Sequence, residues 1–361
     1  MSLVPRPVLK KFNGLLALFY VIQLSGQTDI NPANEKIPVK VVVVTMFEQG
    51  EDTGDRPGEF QLWVERFPLK DTISFPTGYR NLRYNPEEQV LGVVTGIGTA
   101  KAAATIMALG SDQRFDFSKA YWLIAGISGV DPEDASVGSA IWAEWLIDGD
   151  LAHEIDTREV PRAWETGYIP LRKSKPYELP MQEDNEGVVY RLNGSLVDWA
   201  YNFTKDVQLQ DSEILANFRA LYKGYPNAQS PPQVLKGAQL AAQTYWHGEL
   251  MNKWANDWVD YWSEGQANFV TSAMEETGTL QSLSFLSKAG KVAIDRVMVL
   301  RTASNYTMQY EGVSAAESLS GEKLAGSGYT AFIPSIEAAF IVGSKVVNEI
   351  VTNWETFEDK Y

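Results

Sequence analysis

The side chain best placed to do chemistry is an acid that closes an apolar run. Lys40-Val41-Val42-Val43-Val44-Thr45 reads as a strand buried on both faces, as in parallel sheets, and it ends at Met46-Phe47-Glu48. An acid at the carboxyl end of a central strand lies where open α/β sheets bind ligands. There a carboxylate can accept hydrogen bonds or a proton. Gln49 and Glu51 fit the same place, and the run Glu48, Glu51, Asp52, Asp55 also suits a solvated acidic loop. Two glycine-rich stretches, Thr95-Gly96-Ile97-Gly98-Thr99 and Gly126-Ile127-Ser128-Gly129, each follow an apolar run. Glycine after a buried strand lets backbone approach a ligand closely. Two such turns within about 30 residues, the scale of a βαβ unit, point to one pocket.

Other chemistries find little support. The chain has no cysteine, which removes disulfides, thiol nucleophiles and thiolate metal sites. Asp148, Asp150, His153, Glu154 and Asp156 are close in sequence, but one histidine among unpatterned carboxylates makes no metal motif. The formal charge of −15 disfavours nucleic acid. No metal or other cofactor is implied. Arg80 and Arg83 follow the turn-rich Phe75–Asn81, a candidate lid, and could reach an anion or simply be solvated.

The elements that must position these groups follow from the pattern. Val93-Val94 enters the first glycine turn, Ala102 to Leu109 is rich in helix formers, and Tyr121–Ala125 is a short apolar run before the second. Val137–Trp145 then reads as strand, completing strand, glycine turn, helix, strand, glycine turn, strand. Gly58–Arg66 fits either a strand or a short helix. Leu196–Asn202 and Ser212–Tyr222 have helical periodicity, and Glu337–Trp354 reads as a C-terminal helix. Trp254, Trp258 and Trp262 recur every four residues on one helix face, a stripe suited to core packing.

The runs VVVVTMFE, GEFQLWVER, VVTGIGTAKAAATI, GISGVDP and TYWHGELMNKWANDW, taken together, resemble the purine nucleoside permease family, within the nucleoside phosphorylase and nucleosidase superfamily. The resemblance spans Pro38 to the C-terminus. It implies an α/β fold, three-layer α/β/α with a central mixed sheet, as a single domain over 38–361 with a family-specific helical insertion at about 157–240. It also implies a purine nucleoside as ligand. Carried across residue by residue, Met46 packs on the ribose and Glu48 activates water, while Gly96, Gly98, Thr99, Ser128 and Gly129 line the base and ribose pocket. Tyr245 or Trp246, in Thr244–Gly248, stacks on the base. Met274 and Glu275 match the Met and second Glu of a Glu-Met-Glu-Ala signature, with Ala273 and Glu276 departing from it. There the Met lies under the ribose and the Glu accepts the 2′- and 3′-hydroxyls, a role suited to an acceptor-only carboxylate. Val297–Arg301 leads through Thr302 and Ala303 to Ser304 and Asn305, which match an Arg-x-x-Ser-Asp strand end in its Asn variant. Asn305 would contact purine N7 but cannot protonate it. Asn305-Tyr306-Thr307 also spells a glycosylation sequon, discounted because a pocket-facing Asn is a poor acceptor. His153 is a candidate for a ribose hydroxyl contact, in a segment that in relatives faces a neighbouring subunit.

One departure bears on the reaction. Where bacterial-type phosphorylases hold an arginine and a serine for phosphate, this sequence has Ile124 and Ile127, which cannot bind an anion. The expected activity is therefore N-glycosidic cleavage with water, a purine nucleosidase supporting uptake and salvage. The alternatives are a non-catalytic nucleoside permease or transport binding protein, and a phosphorylase using Arg80 or Arg83.

Lys10 and Lys11 precede the apolar run Leu15–Leu24 and Ser25-Gly26, which reads as a signal peptide over 1–26, followed by a linker over 27–37. The expectation is export to the periplasm, cell surface or exterior. No later run reaches the length of about 20 apolar residues that a spanning helix needs. A homo-oligomer without its own membrane span is expected, with a membrane transporter as a possible partner.

Overall fold

The computed structural model describes residues 36–181, 185–324 and 330–361. The export segment and the linker as far as residue 35 lie outside the described residues. Five consecutive buried residues, Val41–Thr45 (β1), form the expected two-faced strand. It pairs in parallel with Val90–Val94 and with Tyr121–Val130.

In chain order the remaining strands of the main sheet are Asp71–Ile73 (β2), Leu82–Asn85 (β3), Val90–Val94 (β4), Tyr121–Val130 (β5), Ala140–Asp148 (β6), Val189–Arg191 (β7), Val234–Ala241 (β8), Phe269–Ala273 (β9) and Val297–Tyr306 (β10). The sheet runs β7-β6-β8-β9-β5-β1-β4-β3-β2, and β10 joins both β5 and β6. Parallel and antiparallel ladders mix, as expected. Strands β6, β8, β9, β5 and β10 are hydrogen-bonded in a closed cycle, so this half of the sheet curls into a ring. Strand β8 lies at the end of the stretch read as an insertion and is part of the core.

The helices that matter for the site are Gln61–Arg66 (α1), Thr99–Ser111 (α2), Gly194–Thr204 (α3), Glu249–Ser263 (α4), Glu276–Lys288 (α5) and Phe332–Thr352 (α6). Helices α1 and α3 pack on α6, which lies against β5 and β10, while α2 and α5 pack on each other. Gly58–Arg66 thus resolves into a loop and the short helix α1, and the C-terminal helix begins at Phe332, earlier than expected. The tryptophan stripe on α4 is buried against Leu240 and Phe269, and Trp258 donates its indole N–H to the Asp148 carbonyl at 2.8 Å. That stripe is core packing.

The second glycine turn is not a turn. Gly126 and Gly129 lie inside the unbroken strand β5, which runs ten residues to Val130. Strand glycines here serve close approach instead of chain reversal. A Cβ at Gly126 would lie 2.5 Å from Glu59 Oε1 and 2.6 Å from an Arg301 guanidinium nitrogen. No helix among the described residues is long and apolar enough to cross a membrane.

Candidate active site

A cavity of about 560 Å³ opens where several strands reach their carboxyl ends. Met46, Phe47, Glu48 and Gln49 enter it after β1, Ile127, Ser128 and Gly129 from β5, and Met274 and Glu275 after β9. Arg301, Ser304 and Asn305 enter from β10, and Glu59, Tyr79, Ile97, Tyr245 and Phe332 complete the wall. The volume suits a small molecule.

Its floor is a buried ion cluster. Arg301 is 1% exposed and faces three carboxylates. Its Nη2 donates to Glu275 Oε2 at 2.9 Å, its Nε donates to Glu276, and Nη1 lies 3.9 Å from Glu59 Oε1 while donating to the Ile127 carbonyl at 2.8 Å. One guanidinium cannot neutralise three buried carboxylates, which disfavours ionising all of them at once. Burial pushes the Glu59 carboxyl up to about 7, against the pull of Arg301 and with a further push from Glu275. Burial raises Glu275 as well.

Backbone N–H groups hold the acids in place. Glu59 accepts from Met46 N and Ile127 N, both at 2.7 Å, one on each oxygen. Glu275 Oε1 accepts from Gly98 N at 3.0 Å. The residue at 98 has φ +98°, a conformation that favours glycine, and it is this that aims the N–H at the acid. Thr99 Oγ1 donates to the Met274 carbonyl at 2.8 Å. Gly96, Gly98 and Thr99 therefore do not line the cavity as expected. The turn acts through Glu275, and only its Ile97 reaches the wall.

Glu48 is differently occupied. Its two oxygens accept four backbone N–H groups: Gln49 and Gly58 on one, Phe60 at 3.0 Å and Gln61 at 2.6 Å on the other. A carboxylate has about four acceptor sites, so Glu48 is filled as a pin for the loop that precedes α1. Burial raises its pKa against the pull of those bonds. Glu59 and Glu275 have each spent about half their acceptor capacity on N–H donors.

At another corner stand Ser304, Asn305 and Tyr245. Asn305 Nδ2 donates to the Tyr245 hydroxyl at 3.0 Å and to the Tyr306 carbonyl at 3.1 Å, and Ser304 Oγ donates to Asn305 Oδ1 at 2.9 Å. Trp246 does not share this place. It packs edge-on to Trp254 and against Phe269, because the apolar face of α4 needs covering. Arg80 and Arg83 face Asp52, outside the cavity, where ion pairs at 3.0 and 3.8 Å hold them. His153, in a separate two-stranded antiparallel pair, accepts from Arg172 N at 3.3 Å and is not among the lining residues. Among the described residues no group of three His, Asp or Glu side chains is placed to hold a metal ion.

The mixed sheet has known counterparts. A mutant nucleosidase of Helicobacter pylori, solved with 5′-methylthioadenosine in its active site, superposes with a TM-score of 0.50 at 15% identity, over 86% of this chain and 99% of that one. The fold is thus that of the nucleoside phosphorylases and nucleosidases. A probable purine nucleoside permease of Schizosaccharomyces pombe is 28% identical over 76% of this chain and 80% of its own length. The purine nucleoside permease of Candida albicans is 27% identical over 88% and 76%. The profile of the purine nucleoside permease family matches residues 38–361, and the chain belongs to that family.

Proposed function

We propose that this cavity binds a purine nucleoside and cleaves its N-glycosidic bond with water, in support of nucleoside uptake and salvage. The observation that carries this reading is the division of labour around Arg301. Glu59 and Glu275 keep acceptor sites toward the cavity, while the guanidinium is spent on carboxylates and a carbonyl. Sugar hydroxyls and water find acceptors there. Among the described lining residues a phosphate would meet two acids and, in Arg301, a cation already engaged by carboxylates, which disfavours phosphorolysis.

In the cleavage, the purine–ribose bond loosens first and positive charge spreads over the ring oxygen and C1′. Buried carboxylates stabilise that charge as it forms. Glu275 accepts the sugar hydroxyls, and Met46 and Met274 pack on the ribose. Water attacks C1′ and passes its proton to Glu59, whose raised pKa places it near the working range of a general base. We assign this role to Glu59 instead of Glu48, whose acceptor sites are filled. The electron pair of the broken bond leaves with the purine at the Asn305 corner.

A second reading is a nucleoside-binding protein without turnover, favoured by the neutral amide of Asn305, which cannot protonate a leaving base. Incubating the purified chain with inosine, adenosine and guanosine, with and without phosphate, separates the two. Free base without phosphate is expected from wild type, with a loss of at least about 100-fold in Glu59→Gln. Binding without base release would establish the second reading. Release only with phosphate would overturn the hydrolytic one.

A further inference from the structure

The run Gly129-Val130-Asp131 leads from the cavity wall to a buried acid that the proposed cleavage leaves unused. Asp131 is fully buried just past β5, and its N–H donates to the Val270 carbonyl of β9 at 2.9 Å. Its carboxylate accepts three N–H groups. Glu133 N lies at 2.9 Å on Oδ1, and the side-chain amides of Asn252 and Asn256, from α4, lie at 3.0 and 2.6 Å on Oδ2. All three donors are neutral. A buried carboxylate held by neutral amides is a costly tie between strand and helix. What it supplies, and an apolar contact does not, is direction.

The two ends of an Asn amide have nearly the same shape and opposite polarity. Because the carboxylate accepts, Asn252 turns Nδ2 toward Asp131 and Oδ1 away from it. That oxygen lies 2.6 Å from Thr307 Oγ1 and only accepts, so the hydroxyl proton of Thr307 belongs to it. The other acceptor in reach, the Val130 carbonyl at 3.1 Å, already takes Thr307 N at 2.9 Å. With Oγ1 so fixed, the Thr307 methyl faces Gly129. The place of a Cβ at Gly129 is 3.1 Å from Thr307 Cγ2 and 3.3 Å from Asn305 Nδ2, so methyl and amide stand side by side at that glycine. The Thr307 carbonyl also accepts Gly248 N at 3.0 Å, which ties in the loop that carries Tyr245. We propose that Asp131 is a positioning residue for the Asn305 corner, acting through Asn252 and Thr307 without touching a ligand. This rests on the nucleoside reading, which puts the heterocycle at that corner.

The test is a double-mutant cycle on the full chain, with inosine affinity measured by calorimetry and stability by urea unfolding. Asp131→Asn sets an N–H against an N–H, and Thr307→Val removes the hydroxyl while keeping the size. Each is expected to weaken inosine binding about tenfold, the size of one to two net hydrogen bonds. Both cut the same chain, so the double variant is expected to lose about tenfold as well, where independent effects would give about 100-fold. Additive losses would overturn the proposal. So would an Asp131→Asn that is less stable yet binds inosine as wild type does, since the acid would then be a structural tie alone. Should Asp131→Asn not fold, unchanged affinity in Thr307→Val would overturn it equally. A wild type that binds no inosine would bring down the nucleoside reading and this assignment with it, a result distinct from the others.

Discussion

Glu59 and Glu48 show why residue roles are harder to read than residue types. Both are acids near the end of β1, and chain order favours Glu48. In the folded chain residues 48–58 loop out, and Glu59 N donates to the Phe47 carbonyl at 3.1 Å, so Glu59 returns to the place next after Phe47. The loop length hides this from a reader of the sequence. The one available signal was Gly58: a Cβ there would come within 2.8 Å of the Glu48 Cα, so the two ends of the loop must touch at a glycine. A consequence can be measured. If Glu59 takes a proton from water, it must be ionised first, and its carboxyl is pushed up to about 7. The rate should therefore climb about tenfold per pH unit below about 7 and level off above it. A pH–rate profile that is flat from pH 5 to 8 would sink the assignment.

At the scale of elements, much of the α/β pattern was legible: β1, the helix after Gly98, the buried α4 stripe and the strand leading to Asn305 follow from apolar runs and helical spacing. What misled was glycine. Gly126 and Gly129 resemble the turn at Gly96 and Gly98, but they sit in mid-strand, where a missing Cβ makes room for other side chains. Only tertiary structure distinguishes the two uses. The pairing of Trp246 with α4 was likewise invisible, since two adjacent aromatics give no clue as to which one covers a helix. Strand β5 supplies its own test. Gly126→Ala would press a methyl group against the ends of the Glu59 and Arg301 side chains, which hydrogen bonds to Met46 N, Ile127 N and the Ile127 carbonyl hold in place. The expected cost is about 1–3 kcal/mol of stability from overpacking. Turnover should fall further than stability predicts, because the base is displaced. Urea unfolding and initial rates on the same preparation check it, and an unchanged rate would count against the geometry.

For the whole molecule, the ion cluster ties together segments distant in the chain. Glu59 comes from the loop after β1, Ile127 from β5, Glu275 and Glu276 from the junction of β9 and α5, and Arg301 from β10. Its charge balance therefore enters the stability of the fold. The folded-state pKa of Glu59 is raised from 4.5 to about 7, so between those values the native chain holds a proton that the unfolded chain has released. By linkage, Glu59 costs nothing at low pH. Its penalty then grows as pH rises from about 4.5 to about 7 and stays constant above, reaching on the order of 3 kcal/mol. Glu275, raised by the same burial, adds in the same direction. Replacing Glu59 by Gln removes the titration and turns one acceptor of a backbone N–H into a donor, a cost that does not depend on pH. The stability of the variant relative to wild type should therefore rise by on the order of 3 kcal/mol from pH 4.5 to pH 8. Urea unfolding of both at the two pH values measures the difference. A gap that is the same at pH 4.5 and pH 8 would mean that Glu59 titrates in the fold as it does in the unfolded chain, and that the three acids do not compete for Arg301.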